Sequence, residues 1–111
     1  MEKLVTIEGV ELGLKASAGT VRAYRDMFGR DLIVDIGTVE MDILGNKTMT
    51  VESTRIAENT IYVMAKEYNS DLPPIQDWLD QFSPYFIYSA IVHVITMWHE
   101  NTQTLNKTKK K

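Results

Sequence analysis

The sequence predicts an α+β fold that is helical over most of its length: an N-terminal β-hairpin followed by about five helices. Three observations carry this expectation. Apolar and polar residues alternate at Leu4–Glu8 and again at Leu12–Ala16, with Gly9 between them. From Val21 onward, apolar residues recur at three- and four-residue spacing, the period of a helix with one buried side. Gly29, Gly45, Pro73, Pro74 and Pro84 fall between those stripes, where the chain must turn. With 111 residues and no internal repeat or linker, one domain over residues 1–100 is expected, followed by a polar, Lys-rich flexible tail at 101–111.

The hairpin is expected over 4–16. Alone it is marginal in water, so it must lean on helices or pair with another sheet edge. Ser17 or Thr20 caps a helix over 18–28, with Val21, Tyr24 and Phe28 on one face and Arg22, Arg25 and Asp26 on the other. Gly29 ends it as a left-handed stop, and Asp31 opens the next helix, over 31–44. Leu32, Ile36, Val39 and Ile43 form its stripe. Leu32–Ile36 is also rich in β-branched residues, which makes a strand the competing reading there. Gly45-Asn46-Lys47 is a turn. Thr50 caps a long helix over 51–68 that carries Ala57, Ile61, Met64 and Tyr68 in line, flanked by Ile56 and Val63. Prolines open the last two helices, over 74–82 and 84–100, because a missing N–H costs nothing in a first turn. Ile87, Ile91, Val94, Ile95 and Trp98 give the final helix a face broad enough to form the centre of the core.

Composition narrows the function classes. The chain has no cysteine, so neither a disulfide framework nor a thiolate metal site is available. Met1–Lys15 is too polar for a signal peptide, and the run from Tyr85 to Trp98 is interrupted and shorter than the ~20 residues of a membrane span. A water-soluble, non-secreted protein with no membrane partner is expected. The formal charge is −3 although Lys107, Lys109, Lys110 and Lys111 crowd the end of the chain, so the body is more acidic than the total. An acidic body repels phosphate backbones, and no nucleic-acid partner is expected.

Motifs for catalysis are absent. His93 and His99 stand six residues apart, about 240° around a helix, and do not converge on a metal. His93 adjoins the apolar face and is expected to be partly buried and hydrogen-bonded. Asp31, Asp35 and Asp42 share one side of the second helix, where magnesium binding or acid–base work is weighed against a plain solvated face; the solvated face is preferred. No nucleophile–histidine–acid order, zinc spacing or phosphate loop occurs. We expect no enzyme, no cofactor and no metal.

Two groups remain as contact candidates. Arg22, Arg25 and Arg30 gather near Asp26 and Asp31, either as an ion network pinning the Gly29 corner, the preferred reading, or as a patch that forks onto a partner's carboxylates. Trp78, Phe82, Tyr85, Phe86, Tyr88 and Trp98 cluster late in the chain, and most must be core. Tyr85, Phe86 and Tyr88 cannot all face inward together with Ile87 and Ile91, and Trp78, Phe82, Tyr85, Phe86 and Tyr88 are the contact candidates. Exposed aromatic surface is therefore expected there, and it suits an apolar helical partner.

Tyr24–Leu32, Y-R-D-M-F-G-R-D-L, preceded by L-K-A-S-A-G-T at Leu14–Thr20, resembles the tail assembly chaperones of long, non-contractile-tailed phages of Gram-positive bacteria. The opening hairpin and L-P-P-I-Q-D-W-L-D-Q-F at Leu72–Phe82 are similar to that family too, so the likeness spans Leu4 to Trp98. The resemblance implies a non-enzymatic protein of the host cell cytoplasm, absent from the mature virion. It implies that the chain coats the apolar, helical tape measure protein and associates with itself as a homo-oligomer. It also implies a longer, frameshifted form whose extension recruits the tail tube protein, and Lys109-Lys110-Lys111 suits the slippery codons such a form needs. Two other classes stand beside this one: a structural virion component, such as a head–tail connector or tail completion protein, and a small DNA-binding regulator using the Gly29 corner as a helix-turn-helix.

Overall fold

A computed structural model of the chain describes residues 1–46 and 48–109. Its order is β1 (Glu2–Ile7), β2 (Val10–Lys15), α1 (Ala18–Phe28), α2 (Leu32–Asn46), α3 (Val51–Tyr68), α4 (Ile75–Leu79) and α5 (Phe86–Lys109). The fold is α+β and mostly helical, as the sequence predicts.

The strands pair antiparallel with Ile7 opposite Val10 and Glu2 opposite Lys15. Only Glu8 and Gly9 lie between them, both at positive φ (52° and 78°), the tight turn whose twist matches that of the strands. Leu12, Leu14 and Ile7 are buried on the inner face of the hairpin. On the outer face, Gly13 lets the Tyr68 ring lie against the strand, since a Cβ built at Gly13 would overlap that ring. Tyr68 is thus a clasp over the hairpin, partly exposed, rather than a core member of its stripe.

The caps follow local chemistry. Ser17 accepts from the Thr20 N–H while the Thr20 hydroxyl accepts from the Ser17 N–H, a capping box closed by threonine. Gly29 takes the left-handed conformation (φ 68°) and donates its N–H to the Arg25 carbonyl at 2.7 Å. Asp31 Oδ1 accepts from the N–H groups of Ile33 and Val34, and Thr50 Oγ1 accepts from that of Ser53.

The centre of the molecule is α3, not the final helix. It packs against β2, α1, α2, α4 and α5, and every residue from Thr60 to Ala65 is buried. The Ile87–Ile91–Val94 face of α5 closes one side of this core, and a smaller cluster of Tyr24, Leu32, Ile36 and Val63 closes the other. The α2 stripe is helical as expected, with Leu32, Ile36 and Val39 buried, and the strand reading of Leu32–Ile36 fails.

Several boundaries differ from expectation. α2 runs through Gly45 and Asn46, because glycine inside a helix costs only about 1 kcal/mol and is tolerated; Lys47 of the expected turn lies outside the described residues. The helix expected over 74–82 is only Ile75–Leu79, followed by single-turn bonds from Gln81 and Phe82 N–H groups to the Trp78 and Leu79 carbonyls. α5 continues to Lys109 where residue 100 was the expected end, since no proline or glycine interrupts that stretch. Lys110 and Lys111 of the expected tail lie outside the described residues.

Candidate functional site

At the Gly29 corner, Arg30 does not meet Asp31. It reaches one turn into α2 and forks onto Asp35, Nε to Oδ2 at 2.7 Å and Nη2 to Oδ1 at 2.9 Å. The Tyr24 hydroxyl donates to the same Oδ2 at 2.7 Å from inside the molecule. Burial pushes the Asp35 carboxyl up, but the hydrogen bonds from Arg30 and Tyr24 and the arginine's charge outweigh it and hold the group below its ordinary value. Burial pushes the Tyr24 phenol up, and its bond to Asp35 and that carboxylate's charge add to the rise. The bond to Asp35 and the carboxylate's charge raise Arg30 further still.

This arrangement corrects the expectation of a solvated acidic face. Asp35 is buried and accepts three hydrogen bonds, Asp42 accepts from the Thr50 and Ser53 hydroxyls, and Asp31 serves as a cap. A carboxylate so firmly held ionised is a poor proton carrier near neutrality, and the cluster reads as a pin. Arg22 and Arg25 stand exposed on α1, Arg22 at 3.8 Å from Asp26, so of the three arginines only Arg30 pins the corner. Glu52 Oε1 lies 3.6 Å from Arg30 Nη2 and extends the network to α3.

The aromatic candidates divide. Trp78 is buried, with Tyr62, Phe82 and Phe86 rings at 5.4, 4.9 and 6.2 Å, and Phe82 stacks on Phe86 at 3.9 Å. Trp78 and Phe86 are therefore core and not contact surface, while Phe82 is half-buried; together they bind α4 to α3 and α5. The short α4 explains the correction, since an element of five residues has few side chains to dock with and sinks its tryptophan into the core beside Ile75 and Leu79. Tyr85 and Tyr88 are 71% and 49% exposed, and Val92 continues their line on the outside of α5. Tyr88 lines an open cleft with Met49, Val51, Thr54, Arg55 and Glu58, across the gap between α5 and the start of α3.

A second apolar surface was not foreseen. On the outside of α2, Ile33, Val34, Met41 and Leu44 are 55%, 64%, 75% and 80% exposed. At 100° per residue they share an arc with Gly37, roughly opposite the buried stripe. The signal lies in the sequence: Leu32-Ile33-Val34 places apolar residues on both sides of one helix, and the stripe at Leu32, Ile36, Val39 and Ile43 accounts for only one of them. Beside this arc is a shallow cleft lined by Ile33, Ile36, Gly37, Glu40, Trp98 and His99.

His93 is exposed, a correction, because 100° per residue sets it well away from the Ile87–Ile91–Val94 face despite its adjacency to Val94. His99 Nε2 lies 3.0 Å from Glu40 and links α5 to α2. Among the described residues no three His, Cys, Asp or Glu side chains group to hold a metal, and no helix is long and apolar enough to cross a membrane. Comparison with protein-family models, curated proteins and solved structures finds no match to this chain.

Proposed function

We propose that the chain is a phage tail assembly chaperone, a binding protein without catalysis that keeps the tape measure protein soluble in the host cytoplasm and is absent from the finished virion. The motifs at Leu14–Leu32 and Leu72–Phe82 resemble that family. The observation that carries the reading beyond resemblance is the exposed line Tyr85–Tyr88–Val92 beside the cleft containing Met49 and Val51. Ridged apolar surface at helical spacing, rimmed by Arg55 and Glu58, suits the apolar side of an amphipathic helix. A long, apolar, helical client needs many such weak contacts along its length, which is what multiple copies of a small binder supply.

The test is co-expression with a tape measure protein from the same phage. The client stays in the soluble fraction with the wild type, and paired Tyr88→Glu and Val92→Glu substitutions return it to the pellet while circular dichroism stays unchanged. A client equally soluble with the double variant overturns the assignment of this surface, and one soluble without the chain overturns the function. Detection of the chain in purified virions favours a structural component instead.

A further inference from the structure

We propose that the outer face of α2 is a two-fold interface between two copies of this chain, with the helices antiparallel and the axis at the level of Thr38 and Val39. The inference does not depend on the function proposed above and concerns a different surface.

The first argument is self-complementarity. In an antiparallel helix pair, residues that meet have numbers of nearly constant sum, and a two-fold contact requires that each residue's partner reciprocate. An axis at the level of Thr38 and Val39 sets Ile33 and Val34 of each copy against Leu44 of the other and sets Met41 against Gly37. Met41 and Leu44 are the most exposed apolar side chains of α2, and Gly37 is the one position of the arc without a side chain. A Cβ built at Gly37 meets nothing within 4 Å, so the notch is open. The helix therefore carries a knob and, one turn earlier, a hole on a single face.

Charge points the same way. The arc holds no ionised residue, and the acids of α2 are engaged within their own chain: Asp35 with Arg30 and Tyr24, Glu40 with His99, Asp42 with Thr50 and Ser53. Asp35 is neutralised by Arg30, and Asp42 and Glu40 are held by hydrogen bonds away from the arc, so no carboxylate of α2 is aimed at the approaching copy. The last turn of α2 has no basic residue to offset the negative end of the helix dipole. Antiparallel docking puts the positive N-terminal end of the partner helix beside it.

Size sets the strength. α2 has 15 residues, which makes it about 22 Å long. One face of such a helix is smaller than the ~800 Å² per partner of a standard stable interface. The dimer is accordingly weak and reversible, populated as concentration rises.

Sedimentation velocity of the full chain, from micromolar to near-millimolar concentration, reads the equilibrium. We expect dimer at the upper end, at least a tenfold weaker association for Met41→Glu with Leu44→Glu, and a similar loss for Gly37→Leu, which fills the notch with a better helix former. Because the chain has no cysteine, mixing a Gly37→Cys protein with a Met41→Cys protein tests orientation. Oxidation should cross-link the mixture faster than Met41→Cys alone. A monomer at every concentration, a dimer indifferent to both sets of substitutions, or equal cross-linking in the two samples overturns the proposal. Binding of an apolar amphipathic peptide to a persistent monomer, lost on Met41→Glu with Leu44→Glu, reassigns the face to a client helix. Should co-expression fail while the dimer and its cross-link persist, the proposed function falls and this interface stands.

Discussion

Asp35 is the residue whose role depends most on its neighbours. Asp35→Ala leaves the buried Tyr24 hydroxyl without its acceptor and should cost about 1–3 kcal/mol in urea unfolding. The pH dependence is more diagnostic. In the wild type the folded carboxyl titrates below the unfolded value of about 3.9, so its contribution is fully present above that value and is lost as pH falls through the folded pKa. Arg30→Ala removes the main opposition to burial, which lifts the folded carboxyl, and the folded state then prefers a proton. The stability difference between wild type and Arg30→Ala should therefore narrow as pH falls from 7 toward 3. A constant gap would mean that Arg30 acts by packing alone. An ion network at the Gly29 corner was legible in the sequence, as were the caps at Ser17, Gly29, Asp31 and Thr50, but Asp35 as the partner of Arg30 was not. Caps act within three or four residues, whereas the burial of Asp35 is decided by Tyr24 arriving from another helix.

At the scale of elements, periodicity located the core stripe of α2 but not the meaning of its other side. Leu32, Ile36 and Val39, with Ile43 in part, went inward as their spacing demands, while Ile33, Val34, Met41 and Leu44 stay exposed. The late aromatics were misjudged for the opposite reason. Trp78, Phe82 and Phe86 look like surplus when each helix is considered singly, yet a five-residue helix uses them together with Ile75 and Leu79 as its attachment. Gly37 separates the monomer's needs from those of the outer face. Its Cβ position is open, so Gly37→Ala should stabilise the chain by about 1 kcal/mol through helix propensity, read from urea unfolding at low micromolar concentration where dimer is negligible. A loss of stability in the monomer would show instead that the notch is filled or strained in the isolated chain.

For the molecule as a whole, the sequence yielded the elements and left their arrangement open, because α3 carries Ser53, Thr60 and Tyr62 among its buried residues and does not look like a central helix. What makes it central is contact on every side, including the hairpin, whose inner face meets it through Leu12 and Leu14. The hairpin is tied to the far end of the chain as well: Lys3 bonds to Glu100 at 2.6 Å, Glu8 accepts from the Ser83 hydroxyl at 2.7 Å, and Asn101 donates to the Ala16 carbonyl at 3.2 Å. Those polar ties are mostly exposed and individually worth little. The joint burial of Leu14 with the α3 and α5 side chains is the stronger link. Leu14→Ala should thus cost about 2–5 kcal/mol and lower the midpoint seen by Trp78 and Trp98 fluorescence as much as the one seen by far-ultraviolet circular dichroism. A hairpin that unfolds on its own would give a different result. The tryptophans, which sit on α4 and α5, would keep their wild-type midpoint while only the strand signal moved, and the domain would divide into a helical body and a detachable N-terminus.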